Sequence, residues 1–350
     1  MERLAVDYNH RVDLARRARV LPVGRHSVTG MGIRHASAAY RELGGMLCRV
    51  REKSGLTGDA LARNLGWSPS TVSRMERGWR QSSTTDVIQY AVMCGARQAE
   101  VQPIVDFTRV AERQEGYHLS DRRIDGSLQS LIFHESSAAH SIVYEPQVIN
   151  GLVQTPEYAC ALVTAFNPDI NEDRVVGAVR TRMERRRILS LPNPARFTFF
   201  IHEHALRLRV GSGQVMHEQL LHLVLTTAMD HVTLRVVPSA AGERSAVGGA
   251  FRLMEFQEHR PMVYLDHLDG GGLILDDPGY VRRYRELVPM LADVALDEGQ
   301  SREFAASLAD EYDRGSQRGV ADVLAEEQPQ RRRGIGLRRG GVEPATPIYQ

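Results

Sequence analysis

Residues 56–78 read LTGDALARNLGWSPSTVSRMERG. Two short amphipathic helices fit this string, joined by a tight turn at Gly66. Leu61, Ala62, Leu65, Val72 and Met75 recur at the spacing of one apolar helical face. Ala62 is small where two helix axes must cross, and Gly66 can take a positive φ without a Cβ clash. Ser68 reads as the N-cap of the second helix. Pro69 suits its first turn, because the N–H it lacks would be unpaired there anyway.

Packing that face inward leaves a polar set outside: Ser70, Thr71, Ser73, Arg74 and Arg77. Short hydroxyl side chains near a helix N-terminus suit phosphates or base edges. Arg74, one turn further on, is long enough to place a bidentate fork on guanine O6 and N7. The flanks carry the matching charge. Between Tyr40 and Arg80, eight basic and four acidic side chains leave a net +4, whereas the whole chain is +1. A local basic excess is what a phosphate-facing surface requires.

Residues 43–95 resemble the Cro/cI-type (XRE-type) helix-turn-helix domain, through Leu61-Ala62, Leu65-Gly66, Ser68, Ser70, Val72-Ser73 and Glu76-Arg77-Gly78. The resemblance implies that Ser68, Ser70, Thr71 and Arg74 fall at DNA-contacting positions. It also implies that Glu76 packs or pairs near the end of the recognition helix, and that Gly78 ends that helix in a left-handed cap. Many relatives carry Gln at the start of the first motif helix, where it touches phosphate; this chain has Gly58 there. Arg77 and Arg80 are expected on the DNA backbone. One short helix reads few base pairs, so a homodimer docking on half-sites about one turn (~34 Å) apart is expected.

The remaining chain divides by composition and period. Residues 1–38 form a basic leader with seven Arg, expected to be disordered. The DNA-binding domain is read over 39–115, with a first helix at 40–54, motif helices at 58–65 and 68–77, a fourth at 83–94 and a fifth over 98–115. Residues 116–127 (GYHLSDRRIDGS) read as a linker. An α+β domain follows over 128–314, and 315–350 reads as a disordered basic tail. In the second domain Arg196–His202, Val232–Val237, Ala250–Phe256, Met262–Asp266 and Leu273–Leu275 are β-branched or aromatic runs between turn signals. His217–Met229, Gly279–Ala295 and Arg174–Leu189 carry helical periodicity, the last with a basic face of Arg180, Arg182, Arg185, Arg186 and Arg187. The expected fold class is therefore α+β: an all-α unit of about five helices, then a larger α+β unit with a mainly antiparallel sheet.

Hydrophobic content of 42% and charged content of 25% are ordinary for a globular protein, and no apolar run approaches a membrane span. Three isolated cysteines (Cys48, Cys94, Cys160) provide no metal-binding pair and fit a reducing, cytoplasmic setting.

EPQVINGLVQTPEYA (145–159), IHEHALR (201–207), RVG (209–211), VVPSAAG (236–242) and GAFRL (249–253) are similar to blocks of a C-terminal domain of unknown function. That domain accompanies XRE-type domains in actinobacterial regulators. Relatives usually have Pro where this chain has Asn150. With the first half, the resemblance covers roughly 43–300. It implies a transcriptional regulator and names no ligand. Thr155 is expected to cap a helix beginning at Pro156.

Enzyme-like constellations are weak. His202-Glu203-His204 puts two imidazoles on one face of a strand, but a third zinc ligand and the HExxH spacing are both lacking. His217 and His222 lie on different helix faces, and Glu203 reads as a cap for a helix starting near Ala205. Asp266, Asp269, Asp276 and Asp277, with His267 among them, cluster beside the Gly270–Gly272 turn and read as solvated loop groups, with a buried acid/base pair as the alternative. That turn lacks the Lys-Ser/Thr of a P-loop, and Gly211-Ser212-Gly213 is no nucleophile elbow. No catalytic residue, metal or cofactor is assigned. Expected partners are double-stranded DNA, a second copy, and either a small regulatory protein from a neighbouring gene or a small-molecule effector; no membrane partner is expected. The alternative readings are an antitoxin-like interaction protein and a ligand-processing enzyme with a DNA-targeting domain.

Overall fold

The computed structural model describes residues 37–113, 115–119, 128–245, 248–266 and 271–327. The helical half contains α1 (Ala38–Lys53), α2 (Gly58–Leu65), α3 (Pro69–Glu76), α4 (Thr84–Met93) and α5 (Gln98–Arg113). Leu43 and Leu47 of α1, Leu61 and Ala62 of α2, Val72 and Met75 of α3, Val87 and Tyr90 of α4, and Ile104 and Phe107 of α5 close one core. Its α2–α3 part is the apolar face read from the sequence.

The second half is built on β1 (Tyr117–Leu119), β2 (His140–Glu145), β3 (Arg196–His202), β4 (Val232–Val237), β5 (Phe251–Glu255), β6 (Met262–Asp266) and β7 (Gly272–Leu275). These described strands form one sheet in the order β1-β7-β6-β5-β2-β3-β4. The β1–β7, β7–β6, β6–β5 and β5–β2 pairs are antiparallel; β2–β3 and β3–β4 are parallel. Parallel neighbours need long crossovers. Here α7 (Pro156–Phe166) and α8 (Glu172–Arg186) lie between β2 and β3, and α9 (Glu203–Arg207) and α10 (Gly213–Thr226) lie between β3 and β4. The fold class is α+β with a mainly antiparallel sheet.

Each sheet face is covered. Val143, Phe197, Phe199, Ile201 and Leu234 pack with Tyr158, Leu220 and Leu308 on one side. Ile142, Tyr144, Phe200, Phe251 and Val263 pack on the other with Val281 and Leu291 of α11 (Pro278–Val294). The β4 edge is occupied rather than open. Val236 N–H donates to Ser301 Oγ (2.9 Å) at the start of α12 (Glu298–Glu327), and its carbonyl accepts from Leu296 N–H (2.8 Å). Covering an edge in this way blocks further strand addition.

Several segments differ from the sequence expectation. Residues 117–119, read as linker, form β1, while 120–127 lies outside the described residues. Strand β2 was not anticipated. Its HSIVYE string is buried at five successive positions, so it lacks the alternation that marks a half-exposed strand. Helix α12 continues to Glu327, past the position where a disordered tail was expected to start. The leader before Ser37 and the tail after Glu327 lie outside the described residues.

The two halves share α1. Its Gly45 faces α6 (Leu128–Ser137): a Cβ there would sit 2.5 Å from the Phe133 ring. Arg41, on the same helix, is buried. Its Nη2 lies 2.8 Å from His134 Nδ1 and 3.4 Å from Met262 Sδ, and its guanidinium is 3.9 Å from the centroid of Phe256. The next residue, Glu42, accepts from Ser130 Oγ (2.7 Å), with His118 Nε2 at 3.3 Å and His134 Nε2 at 3.6 Å. Arginine can only donate, so His134 Nδ1 is the acceptor and the ring is the neutral Nε2–H tautomer.

This junction predicts a pH dependence. Burial pushes the His134 imidazole down from 6.5 to about 4, with the neighbouring Arg41 charge adding to the effect. The unfolded chain therefore binds more protons than the folded one across that window. Stability from the neutral ring is complete above about pH 6.5 and is lost as pH falls towards 4. Replacing His134 with Asn should flatten the fall in thermal midpoint between those values relative to the native chain. Equal slopes would mean that His134 does not carry this dependence.

Candidate nucleic-acid interface

The α2–α3 pair is held by local chemistry. Thr57 Oγ1 accepts from Ala60 N–H (3.2 Å) at the start of α2. Gly66 closes α2 at φ 66°, a left-handed value that costs a residue with Cβ far more. Ser68 Oγ accepts from Thr71 N–H (3.1 Å), with Pro69 in the first turn of α3. The Gly66 turn, the Ser68 cap and the place of Pro69 are as read from the sequence; the Thr57 cap is added by the structure.

Helix α3 is also clamped from behind. Arg51 of α1 donates from Nε to Glu76 Oε1 (2.6 Å) and from Nη2 to Oε2 (3.0 Å). Tyr90 donates its hydroxyl to the same carboxylate, and Arg51 Nη1 also reaches Leu56 O (3.0 Å). Burial alone would raise the Glu76 pKa, but the hydrogen bonds from Arg51 and Tyr90 outweigh it and hold the carboxyl below its usual value. Glu76 thus pairs near the helix end, as the resemblance implied. Gly78 follows at φ 68°, and a Cβ there would meet the Arg41 backbone at 2.6 Å. On α1, a Cβ at Gly44 would lie 2.4 Å from the Glu76 carbonyl oxygen. Two glycines inside a helix cost it propensity. The Gly44-Gly45 pair is the sequence signal for these close approaches.

With Val72 and Met75 buried and Glu76 held against α1, the opposite side of α3 is left to solvent. Ser68, Ser70, Arg74, Arg77 and Arg80 are exposed; Thr71 and Ser73 are half-buried. The Ser68 hydroxyl lies 2.9 Å from both Ser70 Oγ and Thr71 Oγ1, so the three hydroxyls form one patch at the helix N-terminus. No ion pair engages Arg74 or Arg77 among the described residues. Arg77 stacks over the Trp79 ring at 5.1 Å, and Arg80 has Asp86 Oδ2 at 3.4 Å. The structure therefore brings all seven sequence-derived residues onto one helix and the turn that follows it. Trp79, on which Arg77 stacks, has no sequence signal, because a lone aromatic carries no periodicity. Exposed Arg49 and Arg63 add to the basic excess of this half.

Residues 42–104 match a model described as a helix-turn-helix domain. The model described as a domain of unknown function (DUF5753) matches residues 128–307, just over half of the chain. The chain belongs to the DUF5753 family. No curated protein and no solved structure matches it. No described helix is long and apolar enough to cross a membrane.

Within the DUF5753 region the tempting constellations resolve into structural roles. Strand β3 ends at His202, and Glu203 and His204 already belong to α9, so the two imidazoles do not share a strand face. The cap of α9 is His202, whose Nδ1 accepts from His204 N–H (3.0 Å), rather than Glu203. Glu203 instead accepts from Ser239 N–H (2.9 Å) and Arg207 Nε (2.6 Å), tying α9 to the turn after β4. His217 Nδ1 lies 2.9 Å from the Ala309 carbonyl oxygen, and His222 Nε2 lies 3.3 Å from Arg186 Nη1. Among the described residues, no three His, Cys, Asp or Glu side chains converge as metal ligands. Asp277 caps α11, Asp276 accepts from Ala38 N–H, and Asp266 pairs with Arg252 (3.2 Å). His267 and Asp269 lie outside the described residues. Thr155 Oγ1 accepts from Tyr158 N–H (3.3 Å) and caps α7 as read. The arginine-rich face of α8 is not wholly solvated: Arg185 turns inward to Glu135 of α6 (2.7 Å).

Proposed function

We propose that this chain is a sequence-specific transcriptional regulator of the Cro/cI (XRE) type, acting in the cytoplasm, with α3 in the major groove of double-stranded DNA. The observation that carries this reading is the outward face of exposed Ser68, Ser70 and Arg74 with half-buried Thr71, on a helix whose opposite face is locked by Val72, Met75 and Glu76. A groove-reading helix needs such a division, because its base contacts are worth little unless the helix is held still. Arg74 is assigned to a base edge, and Ser68, Ser70, Thr71 and Ser73 to bases or phosphates. Arg77 and Arg80 are assigned to the backbone. The regulator works as a homodimer, because one short helix reads too few base pairs. The DUF5753 region supplies the regulatory input, through dimerisation, an effector or a partner protein, and reaches α3 by way of α1. The reading assigns the chain a binding role and no catalytic residue.

Selection from a randomised duplex library at fixed salt tests this. The native chain should retain an inverted repeat. Arg74→Ala should lose about 1–3 kcal/mol of specific affinity and relax one base position in each half-site. An unchanged preferred sequence and affinity in Arg74→Ala would remove α3 from the groove.

A further inference from the structure

The loop between β5 and β6 lies against the flank of the helix-turn-helix. Phe256 anchors it beneath the Arg41 guanidinium, 3.9 Å from the ring centroid. His259 stands edge-on to Phe256 (6.4 Å between centroids, 72°) and to Trp79 (6.4 Å, 63°). Trp79 lies one residue beyond Gly78 at the end of α3, carries Arg77 over its ring, and keeps 39% of its surface exposed. A loop of the second half is thus seated on the turn that presents Arg77 and Arg80.

Arg260 follows His259 directly. It is exposed, and among the described residues it makes no ion pair. Glu258, the acid of this loop, is also exposed but already engaged. The aromatic contacts on both sides hold the loop in place, so Arg260 would meet a ligand with little ordering cost. A guanidinium in that position suits a phosphate oxygen, which it can grip as a planar fork.

We propose that the second half contributes directly to the DNA interface, with Arg260 on a backbone phosphate beside those met by Arg77 and Arg80. The inference rests on the reading of α3 as a groove helix. It makes DNA affinity depend on how the two halves are seated, because Arg260 is carried by the sheet while Arg77 and Arg80 are carried by the turn after α3. That gives the DUF5753 region a way to alter binding without moving α3.

The test measures binding of the full chain to a fluorescent mixed-sequence duplex across a salt series. Each phosphate contact contributes about 0.9 to the slope of log affinity against log salt. Arg260→Ala should make the slope shallower by about one contact and weaken binding several-fold, equally for every sequence. Arg260→Lys should restore most of the slope, and Arg260→Glu should weaken binding further than Ala. Arg77→Ala serves as the reference for a backbone contact within the helix-turn-helix. If Arg77→Ala flattens the slope while Arg260→Ala and Arg260→Glu leave it unchanged, the inference falls and the proposed function stands. If the native chain does not bind duplex DNA, both fall together.

Discussion

Replacing Glu76 with alanine should destabilise the helix-turn-helix half by about 3 kcal/mol, the low end of the range for breaking a buried ion pair. The side chains of Arg51 and Glu76 are 14% and 15% exposed, so water relieves part of the penalty. Removing the carboxylate strands three donor groups at once: Arg51 Nε, Arg51 Nη2 and the Tyr90 hydroxyl. The Tyr90 hydroxyl has its own titration pushed well above the ordinary range, by burial first and by the Glu76 hydrogen bond second. Tyr90→Phe should cost only about 1 kcal/mol, because it removes one donor and leaves the bidentate pair intact. A double change, Arg51→Met with Glu76→Leu, should recover much of the loss, since it removes both charges instead of isolating one. Urea denaturation followed by tryptophan fluorescence checks the series; Trp67 and Trp79 both lie in this half. DNA affinity should fall with stability in Glu76→Ala, because the carboxylate fixes the end of α3 against α1. A loss under 1 kcal/mol would show that the apolar core alone holds the recognition helix.

The second large effect is expected at Glu135. Its carboxylate accepts from Arg185 Nε (2.7 Å) and Nη2 (3.1 Å), and the two side chains are 0% and 4% exposed. The pair joins α6, which packs on α1 through Phe133, to α8, which packs on α7. Glu135→Ala would leave a guanidinium buried without its partner, at a cost of about 3–5 kcal/mol. Arg182 sharpens the penalty. Burial and the neighbouring Arg185 both lower its pKa, so an uncompensated Arg185 adds repulsion to desolvation. Calorimetric unfolding should show the α+β half melting at a lower temperature, while Glu135→Gln, which keeps the shape and one acceptor, should lie between. A thermogram of Glu135→Ala that overlays the native one would refute the assignment of this pair as a structural tie.

The two ion pairs differ in how visible they were. The resemblance implied that Glu76 would pack or pair near the end of its helix, but not that Arg51 would be its partner. Glu135 and Arg185 had no signal at all. Arg185 lies in an arginine-rich stretch whose charges look solvated until α6 is placed against it. Strand β2 was hidden for a related reason, since burial on both faces removes alternation. Without β2 the parallel β2–β3 pair and the crossover through α7 and α8 could not be inferred.

What the sequence determined by itself is the local part of the protein. The caps at Ser68 and Thr155, the turn glycines 66 and 78, the apolar face of α2 and α3, and most strand positions follow from neighbours a few residues apart. The outward Ser68–Arg80 face was legible because it is what remains when that apolar face is packed. Tertiary structure decided everything that depends on residues distant in the chain. It set the sheet order, chose His202 over Glu203 as the cap of α9, and gathered Arg41, Glu42, His118 and His134 into the junction. It also seated the loop bearing His259 and Arg260 on Trp79. Periodicity records which face of a segment is buried; it holds no record of which segment buries it.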